Sequence, residues 1–374
     1  MDEIVPHPVF FVTYEQKDIS SDITPFITSV TFVDHLSDES GELELELEDR
    51  DGKWIGPWYP GKTDRLSLRI GYDQSPLLPC GQFEIDEISF SSPPDVVYIR
   101  ALATGPKKAL RTRNSHAYEN TTLAVIAQRV AKRNGLTLVG SVREVKIDRV
   151  TQLQEQDLSF LMRIGRSYGY AFKVQGDNLV FTELSTLREQ EPVTTLRKQD
   201  VIEVEITDKI KGVVAKSQVK HYNSKQKKLV TYTVNQDSEI VVKGGSGSFA
   251  SADTLKGAGR ASDPETARVK AQAAIDRSNY DQTQGRLLCY GNPKLVAGNS
   301  FDLLDYGQLS GKYVVHTATH HIDRSAGYTT EVEIKRAGAD AKKKAKQRKG
   351  KKSNKNKGPL TVYTLDKSGN VVTK

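Results

Sequence analysis

The sequence predicts a mainly β protein, with an α+β insertion between two strand-rich modules. Three observations carry this expectation. Short runs with apolar period near two fill the region from Pro8 to Ala103 and again the region from Pro293 to Arg336. Glycines such as Gly298, Gly307, Gly311 and Gly327 punctuate those runs at turn positions. Between the modules, two stripes of helical period interrupt the strand pattern. No single run is long enough to bury a core, so each module needs a barrel or sandwich around it.

The 374 residues suffice for two or three separate cores. Hydrophobic residues make up 37%, and no run approaches the roughly 20 apolar residues that cross a bilayer. The opening MDEIVPHPVFFVTY lacks a basic segment leading an apolar one, so no signal peptide is expected. Cys80 and Cys289 are too few for a disulfide framework, which fits synthesis in a reducing cytoplasm. The formal charge of +7 is local: ten Lys or Arg and no acid lie between Lys342 and Lys357. Without those ten, 44 basic residues face 47 acidic ones. Such a run reads as a solvated linker. It also has the composition that attracts nucleic acid or an acidic surface.

Taken in order, Pro8–Tyr14 and Ser29–His35 read as strands. Gly41–Glu48 alternates strictly, with Leu43, Leu45 and Leu47 on one face and Glu42, Glu44, Glu46 and Glu48 on the other. That is a half-buried strand with a solvated or inter-subunit acidic face. The loop DRDGKWIGPWYPG carries Trp54, Ile55, Trp58 and Tyr59. Aromatics in a Gly- and Pro-rich loop either fold back on their own module or anchor on another chain. Arg65–Ile70, Gln82–Phe90 and Val96–Ala103 complete the first set. After a polar stretch, Thr121 or Thr122 caps a helix with the stripe Leu123, Ile126, Ala127 and Val130, ended by Asn134-Gly135. A strand over Leu136–Val139 follows. A second helix spans about Gln156–Tyr168 and stops at Gly169, before strands at Tyr170–Val174 and Asn178–Phe181. Val201–Ile206, Lys211–Tyr222 and Lys228–Val234 resume the β pattern. The Gly-, Ser- and Ala-rich stretch Gly244–Gly259 reads as mobile, and Pro264 opens a helix running to about Tyr280. Order is expected to fail from Gly338 onward, except in Leu360–Val372, where Ser368-Gly369-Asn370 can turn a hairpin.

No catalytic constellation emerges. His316 and His320 share a strand face about 13 Å apart, and His321 points the other way, so they do not converge on one metal ion. Asp49, Asp51 and Gly52 lack the ligand series of a calcium loop. There is no HExxH, GxSxG or Walker loop. The carboxylates Glu84, Asp86 and Glu87 on one strand, with Glu203 and Glu205 on another, leave a glycoside-cleaving pair as a rival reading. No metal, cofactor or catalytic residue is assigned.

Three stretches together resemble the phage late control D family of contractile-tail hub proteins. They are QDLSFLMRIGRSYGYAFKVQGDNLVF (156–181), AGNSFDL (297–303) and GKYVVHTATHHIDRSAGYTTEVEIKR (311–336). The resemblance implies two related tube-type, β-barrel-like domains at residues 1–110 and 196–340. An α+β insertion at 111–195 lies between them; beyond Arg336, where the resemblance ends, the charge run itself reads as a disordered basic linker at 341–358 and the hairpin pattern as a C-terminal docking segment at 359–374. The resemblance implies a homotrimer forming a pseudo-six-fold ring in the virion tail baseplate, assembled in the bacterial host cytoplasm. That ring joins the hexameric tail tube or a distal tail protein to a central spike, with tape-measure and wedge proteins nearby. DNA only passes through, and no membrane integration is implied. Under this resemblance the acidic row faces the lumen or an interface. Apart from the resemblance, which covers about Pro8–Arg336, the residues themselves make Trp54, Ile55, Trp58 and Tyr59 of the apolar loop candidate contacts, and the hairpin pattern after the basic run makes Leu360, Val362 and Tyr363 candidates for docking on the spike, the tube or a neighbouring hub copy. A tail-borne cell-wall hydrolase and a DNA-binding regulator are the rival functions.

Overall fold

The computed structural model describes residues 6–373 apart from 38, 104–111, 210–213, 215, 224–227, 236–253, 262–263, 338–359 and 366–370. The first strand set comprises β1 (Pro8–Tyr14), β2 (Lys17–Asp18), β3 (Ile27–His35), β4 (Glu42–Glu48), β5 (Arg65–Tyr72), β6 (Leu78–Ser91) and β7 (Val96–Ala103), with the short α1 (Ser20–Ile23). Next come β8 (Arg113–Thr122), α2 (Leu123–Arg133), β9 (Thr137–Arg143), β10 (Lys146–Gln156), α3 (Asp157–Tyr168), β11 (Tyr170–Gln175), β12 (Asn178–Glu183) and α4 (Leu184–Glu189). The chain continues through β13 (Thr195–Leu196), β14 (Val201–Asp208), β15 (Lys216–Asn223), β16 (Lys228–Asn235), β17 (Thr254–Ala261) and α5 (Pro264–Tyr280). It closes with β18 (Thr283–Tyr290), β19 (Ser300–Leu303), β20 (Gly311–Asp323), β21 (Gly327–Arg336), β22 (Leu360–Leu365) and β23 (Val371–Thr373).

The expected pair of barrel-like domains is not what forms. One 13-stranded sheet runs in the order β14-β18-β21-β20-β3-β4-β7-β6-β5-β1-β2, with β13 and β19 attached beside β20. The path is open at both ends, and among the described residues no sheet closes into a barrel. The physical reason is the pairing of β3. Its one edge takes β4, and its other takes β20 of the second set, from Ser29↔Asp323 to His35↔Thr317. That edge is therefore unavailable for closing the first set on itself. The cores merge accordingly: Ile322 and Tyr328 of the second set pack in the same apolar cluster as Leu43, Leu68 and Phe83. Phe301, Tyr313 and Val332 fill the core of the second set.

Two further differences concern the second set. β15, β16 and β17 leave the main sheet and form their own three-stranded sheet. Val219 of that sheet packs on Ala267 and Ala271 of α5. The Gly- and Ser-rich stretch expected to be mobile ends in a strand, β17, parallel to β15. The basic segment 341–358 lies outside the described residues, so its expected disorder does not enter the fold.

The insertion is built on two amphipathic helices. The Thr122 hydroxyl accepts the Val125 N–H at 3.3 Å and caps α2. Leu123, Ile126, Ala127 and Val130 are fully buried, as are Phe160 and Leu161 of α3. Gly169 ends α3 at φ +81°, a conformation glycine adopts without steric cost. A feature absent from the sequence reading is the two-stranded ribbon of β8 and β10. Tyr118, Ile147 and Val150 turn to the insertion core, but the other residues are largely polar, so it shows no regular apolar alternation. It is anchored through Asp157, which is completely buried. That carboxylate accepts Arg133 at 2.6 and 2.8 Å, Asn134 at 2.7 Å and Gln152 of β10 at 2.7 Å. Burial by itself would raise its pKa. The hydrogen bonds from Arg133, Gln152 and Asn134, with the Arg133 charge, outweigh this and hold it down at about 2.

Two buried polar groups fix the junction between the strand sets. Asp34 of β3 accepts the Lys173 ammonium of β11 at 2.9 Å and the Ala297 N–H at 3.0 Å. One carboxylate thereby holds the first set, the insertion and the second set. Asp34→Ala leaves the Lys173 charge half-enclosed without its partner, and a loss of about 3 kcal/mol in urea unfolding is expected. A loss within the ~0.5 kcal/mol of an ordinary surface change would show that Asp34 bears no such role.

His320 of β20 is 1% exposed. It donates from Nε2 to the Leu295 carbonyl at 3.1 Å, and Nδ1 accepts from the Tyr328 hydroxyl at 2.8 Å. This arrangement requires the neutral ring, and burial pushes its pKa down to about 4. The unfolded chain takes up the proton near pH 6.5 and the folded chain does not. Stability is therefore full above pH 6.5 and falls as pH drops toward 4, by about 3 kcal/mol. His320→Gln should flatten that part of the stability–pH curve. An unchanged slope in the variant would assign the effect to other groups.

Candidate functional site

The described residues assemble no catalytic centre. No group of three or more His, Cys, Asp or Glu among them could share a metal ion. His320 is held in the core as above, and His321 instead meets the Thr31 hydroxyl at 2.8 Å. His316 packs tilted against Tyr280, with ring centroids 5.2 Å apart. Cys80 and Cys289 are buried, and burial pushes both thiols up, Cys289 to about 12. Neither is a thiolate nucleophile at neutral pH. In the sheet order, six strands stand between the carboxylates of β6 and those of β14. A cleft of about 1360 Å³ separates α3 and α5 from the second set. Within it, Tyr280 lies between Arg188 and Lys335, and Lys335 pairs with Asp281 at 2.6 Å. Its charges are of both signs and engage one another.

What the sheet does present is a continuous face. The leucines of β4 are at most 3% exposed, so its glutamates stand on the opposite side. Register then extends this side across both strand sets. One row reads Glu84, Leu102, Glu42, Val33, Thr319, Glu331, Leu288 and Glu203, passing through eight strands from β6 to β14. The adjacent row reads Glu87, Arg100, Glu44, Thr31, His321 and Thr329. Carboxylates outnumber cations in both rows. Arg100 binds Glu42 at 2.8 Å and reaches Glu44 at 4.0 Å, and Arg286 lies 3.4 Å from Glu331. Glu46 accepts the Ser29 hydroxyl at 3.0 Å, and Glu48 meets Arg50 at 3.1 Å. Alternation within β4 made Glu42, Glu44, Glu46 and Glu48 legible. The alignment with Glu84, Glu331 and Glu203 depends on pairings between distant strands and left no mark in the sequence.

The aromatic loop divides its side chains. Asp49 accepts the Trp54 N–H at 2.9 Å and the Ile55 N–H at 3.1 Å, so this acid braces the turn. Trp54 is 7% exposed and stands edge-on to Phe26 and Trp58. The Lys53 ammonium covers the Phe26 and Trp58 rings at 5.1 and 5.3 Å. Ile55, Trp58 and Tyr59 remain 51%, 43% and 52% exposed. The loop is thus folded onto its own sheet through Trp54 and presents the other three outward. Backbone pairing places Leu360, Val362 and Tyr363 on β9 of the same chain, opposite Arg143, Ser141 and Gly140.

Trp54→Ala should cost about 3 kcal/mol of protomer stability, because it opens a cavity in the first core. Tyr59→Ala should leave stability within ~0.5 kcal/mol. Equal losses in chemical denaturation of the two variants would show that the loop does not divide in this way.

With the geometry in place, similarity to known proteins becomes informative. Residues 102–326 match the model of the family described as phage tail baseplate hub (GPD). The probable baseplate hub protein of Escherichia phage 186 is 32% identical over 176 residues, 46% of this chain and 44% of that protein. The chain thus aligns with under half the length of that curated relative. The 43 kDa tail protein of prophage MuSo2 from Shewanella oneidensis superposes with a TM-score of 0.65 at 14% identity, covering 88% of this chain and 98% of that one. A tail protein from Neisseria meningitidis MC58 gives 0.63 at 10% identity, covering 88% and 96%. At such identities these two speak for the fold alone. The family match spans more than half of the sequence and includes the insertion, β20 and the turn after it: the chain belongs to the phage tail baseplate hub family.

Proposed function

We propose that this chain is a structural hub of a phage-type tail baseplate, acting by packing and electrostatics rather than by bond-making chemistry. The observation that carries the reading is the acidic sheet face shared by both strand sets. Among the described residues, the outer edge of β14 and that of β1 before its pairing with β2 have no strand partner, so the open sheet is an incomplete wall. Copies placed side by side complete it, and a closed ring also protects the edges. Three copies, each contributing two strand sets, give a trimeric ring with pseudo-six-fold symmetry. Such a ring joins a six-fold tube on one side to a three-fold spike on the other. Its location is the virion tail baseplate, after assembly in the host cytoplasm.

In this ring the sheet face carrying Glu42, Glu44, Glu46 and Glu48 lines the channel. Duplex DNA carries about one negative charge per 1.7 Å of its length. A wall of the same sign repels it over a distance of about 8 Å at physiological salt, which reduces sticking during passage. Ile55, Trp58 and Tyr59, held outward by the buried Trp54, are apolar anchors for a neighbouring copy or another tail component. No observation on the described residues favours the hydrolase. The basic run that suggested a DNA-binding regulator lies outside the described residues.

Imaging of assembled particles tests the placement directly: the face of β4 should point toward the tail axis. Charge reversal tests its consequence. The assembled wild-type hub should retain no duplex DNA, whereas Glu44→Lys with Glu331→Lys should gain binding that falls steeply with salt. A double variant that assembles normally and still ignores DNA would remove the face from the channel.

A further inference from the structure

β9 changes neighbours halfway along its length. Thr137–Val139 pair in parallel with Asn178–Val180 of β12. Beyond them, Gly140–Arg143 pair antiparallel with Leu360–Tyr363 of β22. Gly140 marks the change at φ +126°, and a Cβ at that position would collide with the Phe181 carbonyl oxygen. The rest of this edge is fastened to its own module. Val142 is fully buried in the insertion core. The Arg143 N–H donates to the Tyr170 hydroxyl at 2.9 Å, and its guanidinium pairs with Glu183 at 2.6 Å. The acceptor edge is therefore fixed by local contacts, while the strand laid on it comes from the far end of the chain.

Two facts bear on where that strand comes from in an assembly. β21 ends at Arg336 and β22 begins at Leu360. Residues 338–359 alone reach on the order of 70 Å when extended, which exceeds the width of a domain of this size. The run between Lys342 and Lys357 holds ten Lys or Arg and no acid. The second fact is the nature of the contact. A backbone ladder on β9 is the same whichever copy supplies the strand, so exchange between identical chains forfeits none of it. When copies stand side by side, a neighbour's β9 is present at an effective concentration near the millimolar range.

We propose that β22 is an exchanged strand: in the assembled hub each copy lays Leu360–Tyr363 on the Gly140–Arg143 edge of a second copy of this chain. This rests on the reading that hub copies form a ring. Passed around such a ring, the exchange ties every copy to the next by main-chain hydrogen bonds. No copy then leaves without breaking a ladder. It also covers an edge that would otherwise be open to unrelated strands.

The experiment uses full-length chains with cysteine at facing positions. Ser141 and Val362 are register partners, and opposite residues of an antiparallel pair stand at the Cα separation a disulfide spans. Chains carrying only Ser141→Cys, with a size tag, are co-assembled with untagged chains carrying only Val362→Cys, and then oxidised. The expected product is a covalent tagged–untagged pair on a non-reducing gel, lost on reduction and absent when either variant is replaced by wild type. A chain carrying both substitutions supplies the comparison. If it cross-links only within itself and the mixture gives no pair, β22 stays on its own β9 and the proposal fails. If neither sample cross-links, the pairing itself is absent and the proposal fails as well. The mass of the assembly before oxidation separates this from the hub reading. A three-copy mass without mixed pairs overturns the exchange alone; a one-copy mass without them overturns both.

Discussion

The pairing of β3 with β20 is the constraint on which the other features of this protein depend. It joins strands almost three hundred positions apart and turns two strand sets into one sheet. Asp34 reinforces it from the same strand, with Lys173 and the Ala297 N–H on its two oxygens. His320 does so from the other strand, stacked on Phe32 and bonded at both nitrogens. A buried carboxylate or imidazole is stable only when its partners are in place. These groups therefore specify one docking of the two sets rather than merely adding cohesion.

From that junction follows the distribution of charge. Had each set closed on itself, the glutamates of β4 and those of β21 and β14 would lie on separate surfaces. Joined in one register, they form rows that cross the molecule. The compensating cations, Arg100 and Arg286, stand on the same face and steady individual glutamates without neutralising the whole. The face stays acidic yet ordered, as the channel wall proposed above requires. The opposite side of the sheet holds the leucines and aromatics that make the core.

The insertion follows a different logic. Its helices bury ordinary apolar stripes, but the β8–β10 ribbon has little apolar surface of its own, and a two-stranded ribbon alone is marginal in water. Asp157 supplies the connection by drawing α2, α3 and β10 to one carboxylate. The same module offers the β9 edge to the C-terminal strand, so the insertion carries a backbone contact to the end of the chain.

The sequence by itself determined the local elements and the family. Period-two leucines marked β4, the stripe from Leu123 to Val130 marked α2, and Gly169 marked the end of α3, because each signal sits within a few neighbouring residues. Three stretches in the right order sufficed for the resemblance. The tertiary structure alone decided that the sheet stays open, that β15–β17 leave it, and that Trp54 turns inward while Tyr59 does not. It also decided that polar residues 113–122 and 146–156 form a ribbon, since strands without apolar alternation carry no periodic signal. The acidic rows belong to the same category. Alternation fixes which side of one strand a glutamate takes, but only pairing between remote strands decides which other glutamates stand beside it.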